Sequence, residues 1–243
     1  MAQIAAGVNS NRQEVKKWYG NKPEGMDDYL KPTEFCDSDD EEINKKAREL
    51  VKDAATQKEA ALSIFYFVRD STIFALDFTD FKASHALKTR LGSCVQKPNL
   101  QVALLRAAGI PARSHRVAIK KETLQGIISG FVYRVFPELL DNHTWCECYL
   151  SGKWISCEAE FDKELFEGMR EKGVTVASQI PSIDWDGEND LLMFKPWEVE
   201  DFGTFASLDD FWREFSKHLG RKFLQRTGMN ALSNRHTNSL RKR

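Results

Sequence analysis

Residues 143–158 read HTWCECYLSGKWISCE, with one histidine, three cysteines and two glutamates. Such residues can hold a metal, close a disulfide or supply part of a catalytic triad. Ser151-Gly152 suits a two-residue hairpin turn. Pairing about it sets Leu150 against Lys153, Tyr149 against Trp154 and Cys146 against Cys157. Side chains alternate along a strand. His143, Trp145, Glu147, Tyr149, Trp154, Ser156, Glu158 and Glu160 then share one face, and Cys146, Cys148, Leu150, Ile155 and Cys157 share the other.

This separation keeps His143 and the cysteines from converging on one ion. C-x-C on a strand also differs from the C-x₂₋₄-C zinc knuckle, so no metal is expected. The cysteines read as small buried hydrophobes. A Cys146–Cys157 disulfide is geometrically possible but disfavoured in a reducing setting. On the other face, Glu160 lies opposite His143 and Glu158 lies one diagonal step away. Either carboxylate can orient the imidazole.

A nucleophile is available in LGSCVQKPNLQVALLRAAGIPAR, residues 91–113. Cys94 follows Gly92-Ser93 and precedes an apolar helical repeat. The positive end of a helix favours thiolate, and its free N–H groups can hold an oxyanion. Pro98 would delete a ladder bond from a helix begun at Cys94. The regular helix therefore starts nearer Pro98, or its first turn is distorted.

Two blocks resemble the transglutaminase-like superfamily, whose members have a papain-like fold. One is Gly-x-Cys followed by a helix and RAAGIPAR, Gly92 to Arg113. The other is His-x-Trp-x-Glu-x-Tyr-Leu and then Gly-x-Trp, His143 to Trp154. The approach FYFVRDSTIF is similar to the family's lead-in, although Phe74 stands where a tyrosine is frequent. The resemblance spans about Tyr29 to Asp162, and the later GTFASLDDFWREF is similar to small microbial members. It implies a triad with Cys94 as nucleophile, His143 as base and Glu158 as orienter. Glu158 departs from the usual aspartate of the W-x-x-x-D context. The resemblance further implies that a Cys94 thioester forms at an amide carbonyl and passes to water or an amine. Gln96, Lys97 and Trp145 are candidate substrate contacts, with solvated surface as the plainer reading of Gln96 and Lys97. No cofactor is expected. A biosynthetic cyclase or lyase using the same pocket and a binding module with a relic triad are the alternatives.

The surrounding elements must position these groups. Ser38 with Glu41 and Thr56 with Glu59 have capping-box spacing. Each precedes an apolar helical face. Phe81 to Arg90 reads as a third helix, and Leu100 to Ala107 as a fourth, stopped by Gly109 and Pro111. RSHRVAI, FVYRVF, HTWCECYL and KWISCE read as strands. Helical signals return near Asp162–Arg170 and Leu208–Leu219. Helices followed by strands predict an α+β fold with N-terminal helices packed on an antiparallel sheet.

The chain has 243 residues, 42% of them hydrophobic, and a net charge of −1. That suits one domain without a strong nucleic-acid or membrane signal. The expected division is an extension over 1–36, a core domain over 37–220 and a basic tail over 221–243. From Lys217 onward there are eight Lys or Arg and no acid. This end reads as solvated and partly disordered. Five cysteines cannot all pair, and the start lacks the pattern of a secretory signal. A cytoplasmic setting is expected, with a small-molecule or peptide amide as substrate.

Overall fold

The computed structural model describes residues 24–220 and 223–241. Helix α1 (Glu41–Val51) and helix α2 (Gln57–Ser71) form first. Asp40, not Ser38, caps α1, its Oδ1 accepting the Glu42 and Ile43 N–H groups. A carboxylate one residue from the helix meets the free donors directly, while Ser38 gives its carbonyl to Asn44. Thr56 caps α2 as its spacing predicts, through the Glu59 N–H at 3.1 Å.

Next come β1 (Ile73–Phe74), α3 (Ala83–Thr89), β2 (Leu91–Gly92) and α4 (Gln96–Ala107). The two short strands pair in parallel, with Phe74 beside Gly92. After α4 the chain enters β3 (Ala112–Lys120), then α5 (Gly130–Val135), β4 (Leu139–Leu150) and β5 (Lys153–Ser156). Helices α6 (Lys163–Glu171) and α7 (Thr175–Gln179) precede β6 (Glu198–Phe205). Helices α8 (Asp209–Gly220) and α9 (Phe223–Leu240) close the described chain.

The main sheet is antiparallel in the order β5-β4-β3-β6. The fold is α+β, with helices packed on an antiparallel sheet as expected from the sequence. The hairpin register also matches: Leu150 faces Lys153, Tyr149 faces Trp154, and the Cys157 N–H reaches the Cys146 carbonyl at 2.9 Å. Cys146, Cys148, Leu150, Ile155 and Cys157 pack against α1, α2 and α4 in one core. Trp145, Val117 and Ile119 pack with α6 and α7 in a second.

Three expectations give way. FVYRVF forms α5 rather than a strand. The Ser129 hydroxyl accepts the Val132 N–H and caps the helix, and Val132 is buried while Phe131 and Val135 are exposed. Local β propensity yields to this capping and packing. Strand β6 went unassigned from sequence, because EVEDFGTF has too many acids for a buried-strand signature. It is an edge strand, where charge is expected.

The C-terminal segment is docked rather than solvated over its described side chains. Asn234 pairs with both the N–H and the carbonyl of Leu76. The Thr237 hydroxyl donates to the Ile127 carbonyl at 2.8 Å. Arg241 meets Asp162 at 2.8 Å, and both side chains are largely buried. The positive charge is used to neutralise a buried acid, which composition alone cannot show. Residues 24–36 also pack: Asp209 accepts the Thr33 hydroxyl and the Glu34 N–H.

Candidate active site

Cys94 sits in the turn between β2 and α4, and the helix itself starts at Gln96. Gly92 permits that turn to close. A Cβ there would lie 3.0 Å from Gln96 Cβ and 3.1 Å from Lys97 Cγ. Pro98 falls in the first helical turn, where N–H groups lack intrahelical partners, so the helix is not broken. Pro98 has no N–H to offer the carbonyl four residues back, which belongs to Cys94. The Thr144 hydroxyl of β4 donates to that carbonyl at 2.5 Å. The Cys94 turn is thereby pinned to the residue after His143.

His143 is 2% exposed and lies in β4 opposite Val117. Its Nε2 is 2.8 Å from Glu158 Oε1. That leaves Nδ1 for Cys94, whose nearness helps hold the ring protonated. Glu158 follows the end of β5. Its backbone N–H reaches the Leu191 carbonyl at 3.1 Å, and Oε2 accepts the Met193 N–H. The second carboxylate oxygen is thus held by backbone, which fixes the imidazole plane through Oε1.

The electrostatics differ from the helix-dipole expectation. Burial raises the Cys94 thiol above its ordinary value of 9.0, and Glu160 and Glu158 add to the rise; only the His143 hydrogen bond and charge oppose it. Burial also disfavours a charged His143, yet its hydrogen bonds to Cys94 and Glu158 prevail and lift it to about 10.

A cavity of ≈ 40 Å³ adjoins Cys94, His143 and Glu160, with walls that include Phe74, Leu76 and Phe194. The structure therefore brings Cys94, His143 and Glu158 together. The three candidate substrate contacts do not line this cavity. Gln96 is fully buried; it accepts from the Ser93 N–H and hydroxyl and donates to the Asp77 and Asp80 carbonyls. It ties the 77–80 loop to the turn that carries Cys94. Lys97 is also fully buried, donates to the Arg69 carbonyl at 3.1 Å, and is lowered to about 8 by burial. Neither is the solvated side chain that its polarity suggests. Trp145 donates to Ser156 Oγ at 3.2 Å and stacks on His115 at 4.3 Å.

Thr144 and Met193 escaped sequence reasoning. Thr144 is signalled only indirectly, by the carbonyl that Pro98 leaves unpaired. Met193 acts through its backbone, which no side-chain pattern reveals.

The model of the family described as the transglutaminase-like superfamily matches residues 44–159. Among solved structures, the chain is similar to "a Putative Cysteine Protease from Cytophaga hutchinsonii", at 19% identity and a TM-score of 0.49, over 78% of this chain and 50% of that one. It is also similar to "a Putative Protease from Parabacteroides distasonis", at 14% identity and a TM-score of 0.36, over 54% of this chain and 24% of that one. The chain thus spans half the length of the first and about a quarter of the second. None of the curated proteins matches.

Proposed function

We propose that this chain, which belongs to the transglutaminase-like superfamily, opens amide carbonyls through a covalent thioester on Cys94. The observation that carries the reading is the meeting of Cys94 and His143 at the wall of a cavity, with the buried Glu158 bonded to the imidazole. With the shared proton on His143, the Cys94 thiolate attacks the carbonyl carbon. The S–C bond forms and the carbonyl π pair moves onto oxygen. As the intermediate collapses, the C–N bond breaks and His143 delivers its proton to the departing nitrogen. Water or an amine then attacks the thioester carbonyl while His143 takes its proton, and the C–S bond breaks to release the Cys94 thiolate. Glu158 holds the ring's tautomer and stabilises the imidazolium.

No cofactor enters these steps. The substrate in this reading is a small-molecule or peptide amide with an apolar acyl group, in keeping with the cavity's phenylalanine and leucine walls. No helix among the described residues is long and apolar enough to cross a membrane. All five cysteines are unpaired, which fits a cytoplasmic, reducing setting. A non-catalytic binding module is the second reading, favoured by the raised Cys94 thiol and the small cavity.

Mass spectrometry after incubation with p-nitrophenyl acetate and simple carboxamides separates the two. An acyl adduct on Cys94, absent from Cys94→Ala and released by hydroxylamine, is expected. An adduct on another cysteine, or none, refutes the catalytic reading. Partition of the adduct between water and added amines distinguishes hydrolase from acyltransferase.

A further inference from the structure

Glu160 is 3% exposed, yet its carboxyl borders the cavity that also meets Cys94 and His143. Unlike Glu158, it has no hydrogen bond to another side chain among the described residues. The nearby Cys94 backbone N–H favours this carboxyl's charged form. That N–H is the donor that an attacked carbonyl needs when its oxygen becomes negative. An ionised Glu160 therefore competes for the donor and repels the developing charge. A neutral Glu160 does neither, and has an O–H of its own to give.

Taking Cys94 as the nucleophile, as under the proposed function, we propose that Glu160 is a further catalytic residue, its neutral carboxyl donating beside the Cys94 N–H to the oxyanion of the tetrahedral intermediate. The thiolate attacks, the carbonyl pair moves to oxygen, and the Glu160 O–H shares its proton with that oxygen in a hydrogen bond. On collapse the π bond reforms and the proton stays with Glu160. No net proton is taken from it, so it serves each turnover unchanged.

Its charged neighbours explain how a neutral form persists. Burial favours the neutral acid and Glu158, two residues away, repels the anion. His143 from β4, Lys97 from α4 and the Cys94 N–H pull the other way. The balance lifts Glu160 to about 7. Ser93, Thr123 and Asn142 are the other polar groups at the cavity wall. A carboxylic acid kept neutral so that it can donate a hydrogen bond is an established catalytic device.

Two reagents isolate the effect on the full-length chain. Acetylation of Cys94 by p-nitrophenyl acetate passes through an oxyanion, whereas alkylation by iodoacetamide does not. In the unsubstituted protein, the acetylation-to-alkylation rate ratio should fall as pH rises through about 7 and Glu160 ionises. Glu160→Gln keeps a donor that cannot ionise, so the ratio should stay high and flat. Glu160→Leu, with a melting temperature near that of the parent, should lower acetylation on the order of 100-fold while sparing alkylation. Equal ratios in all three proteins, or a pH-independent ratio in the parent, overturn the inference alone. A Cys94 inert to both reagents overturns the nucleophile reading and this one with it. If Glu160→Leu fails to fold, the Gln variant decides: a ratio that still falls near neutral pH overturns the inference.

Discussion

His143 Nε2 lies 2.8 Å from Glu158 Oε1, and the other Glu158 oxygen is engaged by the Met193 N–H. The imidazole is thus oriented by a carboxylate that is itself held in place. Glu158→Gln keeps the shape and removes the charge. It should slow Cys94 acylation by roughly tenfold to ten-thousandfold, and because losing the imidazolium partner outweighs losing Glu158's own repulsion of the thiolate, the Cys94 alkylation profile should move to higher pH. The stabilising protonation of His143 should also be lost. In the parent this contribution is complete below the ordinary value of 6.5 and disappears as pH rises through about 10. Thermal melts across that window should therefore be flatter in the variant. Unchanged alkylation and melting profiles would assign Glu158 a passive role.

Cys94 should be the first cysteine to react with limiting iodoacetamide. Cys36, Cys146, Cys148 and Cys157 are buried, while Cys94 is partly exposed. Burial raises the Cys36 thiol to about 12, which leaves almost no thiolate at neutral pH. Peptide mapping after brief alkylation checks the order. Early labelling at Cys146 or Cys157 would show that the hairpin opens more readily than its packing implies.

Arg241→Ala should destabilise the protein by roughly 3–5 kcal/mol, the range for stranding one partner of a buried pair. Asp162 also accepts the Phe74 and Leu165 N–H groups, so the stranded carboxylate cannot move away freely. Burial disfavours the Asp162 charge, but Arg241, Lys97 and the Phe74 N–H outweigh it and lower its pKa below 3.8. The contribution is therefore present above that value and lost as pH falls through the lowered one. Denaturant melts of parent and variant should converge in strong acid. Truncation after residue 222 should be at least as damaging, the reverse of what the segment's composition suggests.

His115 links two strands, with Nδ1 2.7 Å from Glu147 and Nε2 2.7 Å from Asp201 on β6. Burial opposes its charge, yet both carboxylates raise its pKa above 6.5. The link is complete below that value and weakens as pH rises through the raised one. Asp201 is about half exposed, so the energetic effect should be modest. His115→Gln should increase amide exchange in β6 at acidic to neutral pH and leave exchange at alkaline pH nearly unchanged. Equal exchange at every pH would mean that backbone pairing alone holds the edge.

The hairpin about Ser151-Gly152 and the faces of its two strands were legible in sequence because each depends on neighbours within a few residues. So was the helix after Cys94, whose apolar spacing and Gly109 stop are local. Glu158 and Glu160 were not separable by parity, since both share a face with His143. The choice depends on the bend after Ser156 and on the Met193 N–H, which arrives from a loop more than thirty residues away. Gln96 and Lys97 look like surface in sequence because polarity predicts exposure only when no distant carbonyl can satisfy the group. Here the Asp77, Asp80 and Arg69 carbonyls do so. Residue type and short-range periodicity thus determined the elements and the candidate chemistry. Tertiary structure supplied the contact by which Glu158 holds the imidazole, and it alone showed that a basic C-terminal segment neutralises a buried aspartate. Those outcomes depend on burial and on partners far away in the chain, and local sequence encodes neither.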